Sequence, residues 1–236
     1  MRCIFLDRDG TICLDKTYNN KVEELQFVVQ EETLAYTLHR IKRLGFYIIV
    51  ISNQAGVSLG YSTEDEVIRF NYEINRRLNY VIDDFFFCTH RKEDNCECRK
   101  PRVGMIRRAM SKYRINPELS WFVGDKSIDI ETGKNIGAKT ILVLTGHGRK
   151  DIMVSDPDFV AEDINQAISI VERVSLREIK VVYGFANGFS VQGVVDTKIK
   201  EKFSKSFEKI EVDKVIQEGF VPDPTLPVDF IIPSLL

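Results

Sequence analysis

The order of elements in this chain predicts an α/β fold, a doubly wound parallel sheet of Rossmann-like type, and three observations carry the prediction. Short apolar runs alternate with segments of helical period from residue 3 to residue 171, which is the pattern of successive βαβ units. Polar residues suited to chemistry follow three of those runs: Asp7 after Cys3-Ile4-Phe5-Leu6, Ser52 after residues 46–51, and Asp125 after Trp121-Phe122-Val123-Gly124. In a parallel sheet the carboxyl ends of the strands share one edge, so these distant residues are expected to meet there. The block between the first two strands is too short for a separate lid domain, and residues 11–25 allow only a small flap.

Each element has its own signal. Residues 3–6 form the first strand. Leu34, Leu38 and Ile41 share one helical face, Gly45 can end that helix, and residues 46–51 follow as a buried strand. Thr63 with Glu66 makes a capping box ahead of Val67, Phe70, Ile74, Leu78 and Val81 at helical spacing. Residues 84–87 read as a strand, 104–114 as a helix, 121–123 as a strand, 128–136 as a short helix closed by Gly137, 140–144 as a strand, and Ile164, Ala167, Ile168 and Val171 as the buried face of a last helix. The expected division is a main domain over 1–174 and a small α+β appendage over 175–236. Within the appendage, Ile179 to Tyr183 and Val191 to Val195 are apolar runs punctuated by Gly184, Gly188 and Gly193. Packing on the main domain, self-association and partner binding all fit this segment.

Bulk properties exclude several classes. With 236 residues, 44% of them hydrophobic, the chain can bury a substantial core, and a net charge of −2 does not suit a nucleic-acid binder. No apolar run is long enough to span a bilayer or to serve as a signal peptide, so no membrane partner and a cytoplasmic location are expected. Five cysteines, three of them between 88 and 98, are too few and too clustered for a disulfide framework.

Asp7-Arg8-Asp9-Gly10-Thr11 carries the chemistry. Two carboxylates one residue apart can divide labour: Asp7 attacks phosphorus, while Asp9 gives a proton to the leaving oxygen and later takes one from water. Asp7, Asp125 and the backbone carbonyl of Asp9 offer the oxygen ligands that Mg²⁺ accepts. Ser52, Asn53 and Lys100 are candidates to hold phosphoryl oxygens, Lys126 is a further candidate cation, and Asp129 stands where it could support the metal's waters or Lys126. An acidic strand-end turn or a helix N-terminal acid would show similar residues singly. Arg8, by the pleat of a strand, is expected to point away from its neighbours into a structural role.

With these residues in order, the chain resembles the haloacid dehalogenase superfamily of phosphohydrolases. Asp7 to Thr11 match its first motif, Ser52-Asn53 the second, Lys100 the third and Gly124 to Asp129 the fourth. The resemblance implies an aspartyl-phosphate intermediate on Asp7, Asp9 as acid then base, Mg²⁺ at Asp7, Asp9 and Asp125, phosphate contact from Thr11, Ser52 and Asn53, and charge neutralisation by Lys100.

Cys88-Thr89-His90 and Cys96-Glu97-Cys98 bring three thiols and an imidazole into one short loop, 88–98, enough for a closed tetrahedral Zn²⁺ site of structural type. Arg99-Lys100-Pro101 follows directly, so zinc would position the phosphate-binding cations Arg99 and Lys100. This linkage is similar to a capless subgroup of the superfamily whose members act on heptose bisphosphate or histidinol phosphate. The expected activity is therefore Mg²⁺-dependent hydrolysis of a small phosphorylated metabolite, foremost heptose 1,7-bisphosphate at its 7-phosphate, with histidinol phosphate second. A catalytically silent phosphate-binding module acting through its C-terminal segment is a reading of another class, and a DNA-end phosphatase a weaker one. One departure stands out: the heptose enzymes of the subgroup carry an arginine where this chain has Leu59, before Gly60.

Overall fold

The computed structural model describes residues 1–18, 20–178, 180–186 and 189–195. They fall into two compact units divided after Val171. The first unit is an alternating chain of strands and helices: β1 (Arg2–Leu6), α1 (Glu31–Arg43), β2 (Phe46–Asn53), α2 (Glu64–Arg77), β3 (Asp84–Cys88), α3 (Gly104–Tyr113), β4 (Trp121–Gly124), α4 (Ser127–Asn135), β5 (Lys139–Val143), the short α5 (Gly148–Asp151) and β6 (Phe159–Ala161). The last helix, α6 (Ile164–Glu178), runs across the division.

The six strands of the first unit form one sheet in the order β3-β2-β1-β4-β5-β6, and every pairing is parallel. From β1 the chain moves outward through β2 and β3, then returns to the other side of β1 for β4, β5 and β6. The direction of winding therefore reverses between β1 and β4, the place where open parallel sheets bind ligands. This is the doubly wound α/β sheet that the alternation predicted.

Burial explains the architecture. Cys3, Ile4, Phe5 and Leu6 are all wholly buried, so β1 is covered on both faces and its run shows no polar alternation. On one face Cys3 and Phe5 join Ile49, Ile51, Phe122 and the α3 residues Met105, Ile106 and Ala109 in a single core cluster. Leu34, Leu38 and Ile41 of α1 and Val67 and Ile74 of α2 are buried as their spacing required. At the start of α2 the capping box is complete: Glu66 N–H donates to Thr63 Oγ1 at 3.2 Å, and Thr63 N–H donates to Glu66 Oε2 at 2.7 Å.

Two elements carry no readable sequence signal. β6 has three residues, too few to show a period, and α5 is a single turn inside what reads as a glycine-rich loop. In the second unit, β7 (Lys180–Ala186) and β8 (Phe189–Val195) pair antiparallel as a hairpin, on the two apolar runs that the glycines punctuate. The remainder of the expected appendage, 196–236, lies outside the described residues. No helix among the described residues is long and apolar enough to cross a membrane.

Candidate functional site

The carboxyl ends of β1 and β4 lie side by side: Leu6 pairs with Val123, and Asp7 N–H donates to Val123 O at 2.9 Å. Asp7 leaves β1 and Asp125 leaves β4 at this point, and Asp129 enters from the first turn of α4. One carboxylate oxygen from each of the three lies within 4.8 Å of the others. All are buried, Asp125 and Asp129 completely. Lys100 Nζ sits among them, 2.5 Å from Asp7 Oδ1, 2.7 Å from Asp129 Oδ1 and 2.8 Å from the Ile51 carbonyl.

Three carboxylates face two ammonium groups, Lys100 beside Asp7 and Asp129 and Lys126 acting on Asp7 and Asp125, which leaves negative charge uncompensated, and burial makes that expensive. Burial, with Asp129 and Asp9 adding, raises the Asp7 carboxyl to about 6 against the opposing pull of Lys100. Burial and the charges of Asp7 and Asp129 raise Asp125 to about 8. Asp7 Oδ2 and Asp125 Oδ1 are buried without a hydrogen-bond partner among the described residues. Such oxygens need a cation, and hard carboxylate oxygens on adjoining strand ends suit Mg²⁺.

The wall around Asp125 is made of backbone. Gly10 turns at φ +96°, and a Cβ there or on Gly146 would strike the Asp125 carboxylate. Thr145 Oγ1 donates to the Gly10 carbonyl at 2.6 Å and His147 N–H donates to Asp125 Oδ2 at 2.8 Å. The segment after β5, Thr145-Gly146-His147-Gly148, thus lies against Asp125.

Asp9 faces a different set of groups. Its Oδ2 accepts from Gln54 Nε2 at 2.6 Å and from Ser52 Oγ at 3.3 Å. Arg8 does not point away: β1 ends at Leu6, the pleat stops with it, and the Arg8 guanidinium folds back to pair with Asp9 at 3.0 Å. Gln54, two residues beyond Ser52, joins the site without any motif signal of its own. Thr11 is fully buried and its hydroxyl has no partner among the described residues.

Asn53 is spent on the main chain of Lys100: its Oδ1 accepts from Lys100 N–H at 3.0 Å and its Nδ2 donates to the Lys100 carbonyl at 3.2 Å. Its side chain thereby fixes the strand-end position of the lysine. Lys126 Nζ donates to Asp15 Oδ2 in the flap at 2.9 Å, and its N–H donates to Asp129 Oδ2 at 3.1 Å. Burial opposes the Lys126 charge, but Asp7, Asp125 and Asp15 outweigh it and hold its pKa above the ordinary value.

Cys88, His90, Cys96 and Cys98 form a second cluster. Cys98 Sγ lies 3.2 Å from His90 Nδ1, 3.2 Å from Cys88 Sγ and 3.4 Å from Cys96 Sγ, while Cys88 Sγ lies 3.5 Å from His90 Nδ1 and 3.6 Å from Cys96 Sγ. A tetrahedral zinc centre with bonds of about 2.3 Å to sulfur and 2.0–2.1 Å to nitrogen has ligand-to-ligand edges of roughly 3.4–3.8 Å. The separations of 3.4, 3.5 and 3.6 Å fall in that range, the two of 3.2 Å lie just under it, and all the cysteines are free thiols. Burial, with the neighbouring Cys98, pushes the Cys88 thiol up, so a cation is needed to hold it as thiolate. Arg99 continues from this loop and donates to the His90 carbonyl at 3.1 Å. Leu59 is exposed, and beside it the Ser58 carbonyl accepts from Arg91 Nε of the cysteine-rich loop at 3.2 Å.

The HAD-hydrolase-like family model matches residues 97–167. The D-glycero-beta-D-manno-heptose-1,7-bisphosphate 7-phosphatase of Pasteurella multocida is 31% identical over 173 residues, 69% of this chain and 92% of the relative. The D-glycero-alpha-D-manno-heptose-1,7-bisphosphate 7-phosphatase of Photorhabdus laumondii is 35% identical over 158 residues, 62% and 85% of the two chains. Among solved structures, the D,D-heptose 1,7-bisphosphate phosphatase of B. bronchiseptica, complexed with magnesium and phosphate, superposes with a TM-score of 0.67 at 26% identity, covering 74% of this chain and 99% of that one.

Proposed function

The chain belongs to the haloacid dehalogenase-like hydrolases and is a phosphatase, and on that premise we propose that it removes the 7-phosphate of a heptose 1,7-bisphosphate through an aspartyl-phosphate on Asp7. The observation that carries the reading is the buried cluster of Asp7, Asp125 and Asp129 at the β1/β4 switch, with Lys100 inside it and Asp9 beside it. Asp7 attacks phosphorus as the bond to the sugar oxygen breaks, and Asp9 gives that oxygen its proton. Asp9 then takes a proton from the water that attacks the phosphoryl group, and Asp7 is released. Lys100 neutralises the charge between nucleophile and substrate, Asn53 and Asp129 hold Lys100 in place, and Ser52 and Thr11 offer hydroxyls to the phosphoryl oxygens. Mg²⁺ held by Asp7, Asp125 and the Asp9 carbonyl would supply charge screening for an anionic substrate.

The second phosphate calls for cations away from the nucleophile. The guanidinium of Arg99 donates to the His90 carbonyl of its own loop, and that of Arg91 reaches the Ser58 carbonyl in the segment where Leu59 replaces an arginine of the related enzymes. Zn²⁺ on Cys88, His90, Cys96 and Cys98 would hold that loop, and its reduced thiols suit the cytoplasm. Histidinol phosphate would need a carboxylate free to receive its ammonium group. Of the acids nearby, Asp15 of the flap is engaged by Lys126, while Glu93 and Asp94 of the cysteine-rich loop are exposed. A silent binding module would have no use for Asp9.

Phosphate release with Mg²⁺ from both anomers of heptose 1,7-bisphosphate, fructose 1,6-bisphosphate, histidinol phosphate and a 3′-phosphorylated oligonucleotide tests the reading. A preference of at least tenfold for one heptose anomer is expected. Preference for histidinol phosphate, or release from none of the panel, would overturn the substrate assignment.

A further inference from the structure

Arg8 is 1% exposed, between two residues assigned to the chemistry, and the reaction as written does not use it. A guanidinium taken wholly out of water needs its donors satisfied, because losing a partner leaves an uncompensated buried charge. Here each edge has a partner. Nε donates to both Asp9 oxygens at 3.1 Å, Nη1 to Asn71 Oδ1 at 2.9 Å and Nη2 to Asn20 Oδ1 at 2.7 Å, while the face of the group lies 4.8 Å from the Phe70 ring centroid.

The partners are themselves connected. Asn20 stands in the flap, and its Nδ2 donates to Gln54 Oε1 and to Ser62 Oγ, each at 3.2 Å. Gln54 Nε2 donates to Asp9 Oδ2 at 2.6 Å. The hydrogen bonds therefore close a ring, from Asp9 through Arg8, Asn20 and Gln54 back to Asp9. It joins three separate stretches of chain: the turn after β1, the flap and the segment after β2.

We propose that Arg8 is a positioning residue which, with Asn20 and Gln54, aims the Asp9 carboxylate, so that the acid–base group is seated when the flap is seated. The inference rests on the reading of Asp9 as acid then base. The amide of Asn20 is oriented by two opposite demands, an oxygen toward Arg8 and a nitrogen toward Gln54, and alanine meets neither. Flap and acid are thus two ends of one hydrogen-bonded unit, and misplacing such a group by an ångström costs on the order of 10²-fold in rate.

A substrate with an activated leaving group separates aiming from folding. p-Nitrophenolate departs without a proton, so transfer of the phosphoryl group from p-nitrophenyl phosphate to Asp7 survives a misaimed Asp9. Attack of water on the aspartyl-phosphate does not survive it, because that step needs the base. In the full chain with Mg²⁺, Asn20→Ala is expected to release a burst of one p-nitrophenolate per site, followed by a steady rate at least roughly tenfold below wild type. Turnover of heptose bisphosphate should fall by at least the same factor with no burst. Arg8→Lys should behave alike with a larger fall, and thermal melting of both variants monitors the fold. Asp9→Asn is the reference: if it gives no burst, the acid–base assignment fails and this proposal with it. If Asp9→Asn bursts while Asn20→Ala either matches wild type or loses burst and steady rate together, the positioning role is overturned and Arg8 is a core ion pair only.

Discussion

Two clusters of side chains with the composition of metal sites, one of carboxylates and one of thiols with an imidazole, lie in one domain and are built by opposite means. The carboxylates come from the ends of two strands and the first turn of a helix, so the sheet holds them together against their own repulsion. The thiols and His90 come from a strand end and the loop that follows it, where they lie beside hydrogen bonds such as those from Arg91 to the Ser58 carbonyl and from Arg99 to the His90 carbonyl. The first cluster is assembled by the sheet from distant segments, the second within one short stretch of chain. That difference suits a centre that must exchange ligands beside one that must not, since closed thiolate sites are structural.

The largest effect that should separate them is Asp7→Asn. It removes the nucleophile, so kcat should fall by roughly 10⁴-fold or more, with zinc content and melting temperature close to wild type. Measurable retention of turnover would remove Asp7 from its role. Next comes Cys96→Ser, expected to lose bound zinc and about 4 kcal/mol of stability, the size typical of a lost metal. Metal analysis and denaturant unfolding check this, and unchanged zinc per chain would erase the contrast between the clusters.

Mg²⁺ sharpens the comparison through pH. Carboxyl groups with raised pKa values contribute stability that is complete below the unfolded value and lost as pH rises through the folded ones, here about 6 for Asp7 and about 8 for Asp125. The cation-free protein should therefore lose stability between about pH 4 and about pH 8, and Mg²⁺ should raise the melting temperature by more at the upper end of that range than at its middle. A shift independent of pH would show that the cation binds elsewhere. The smallest effect is a control: Thr63→Ala removes the α2 cap, should cost about 1 kcal/mol, and should alter neither metal content nor turnover.

The central strands are legible because buried parallel strands read as unbroken apolar runs between turn residues, and β1, β2, β4 and β5 all do. The thiol cluster is legible because three soft ligands and an imidazole crowded into one short loop have the composition of a metal centre. Orientation is not written in the same way. Arg8 departs from the pleat because alternation holds only while a strand continues, and β1 stops two residues before it. The amide of Asn53 bonds both the N–H and the carbonyl of Lys100, a pairing that its place beside Ser52 does not reveal. Lys126 finds Asp15 across 111 residues of sequence, and Asn20 finds Gln54 across 34. No local pattern encodes such pairs, because only the crossing of loops over the sheet edge creates them.

The order of the strands has a consequence for synthesis. β1 is made first yet ends in the middle of the sheet, with β2 on one side and β4 on the other. The segment bearing Asp7 leaves the ribosome well before its partners, since Lys100 follows it by 93 residues and β4 comes later still. In a nascent chain halted ahead of Trp121, the segment that carries Asp125 and Asp129 does not yet exist. The full carboxylate cluster therefore arrives late in the life of each molecule, and a truncated product of translation carries Asp7 without Asp125 and Asp129.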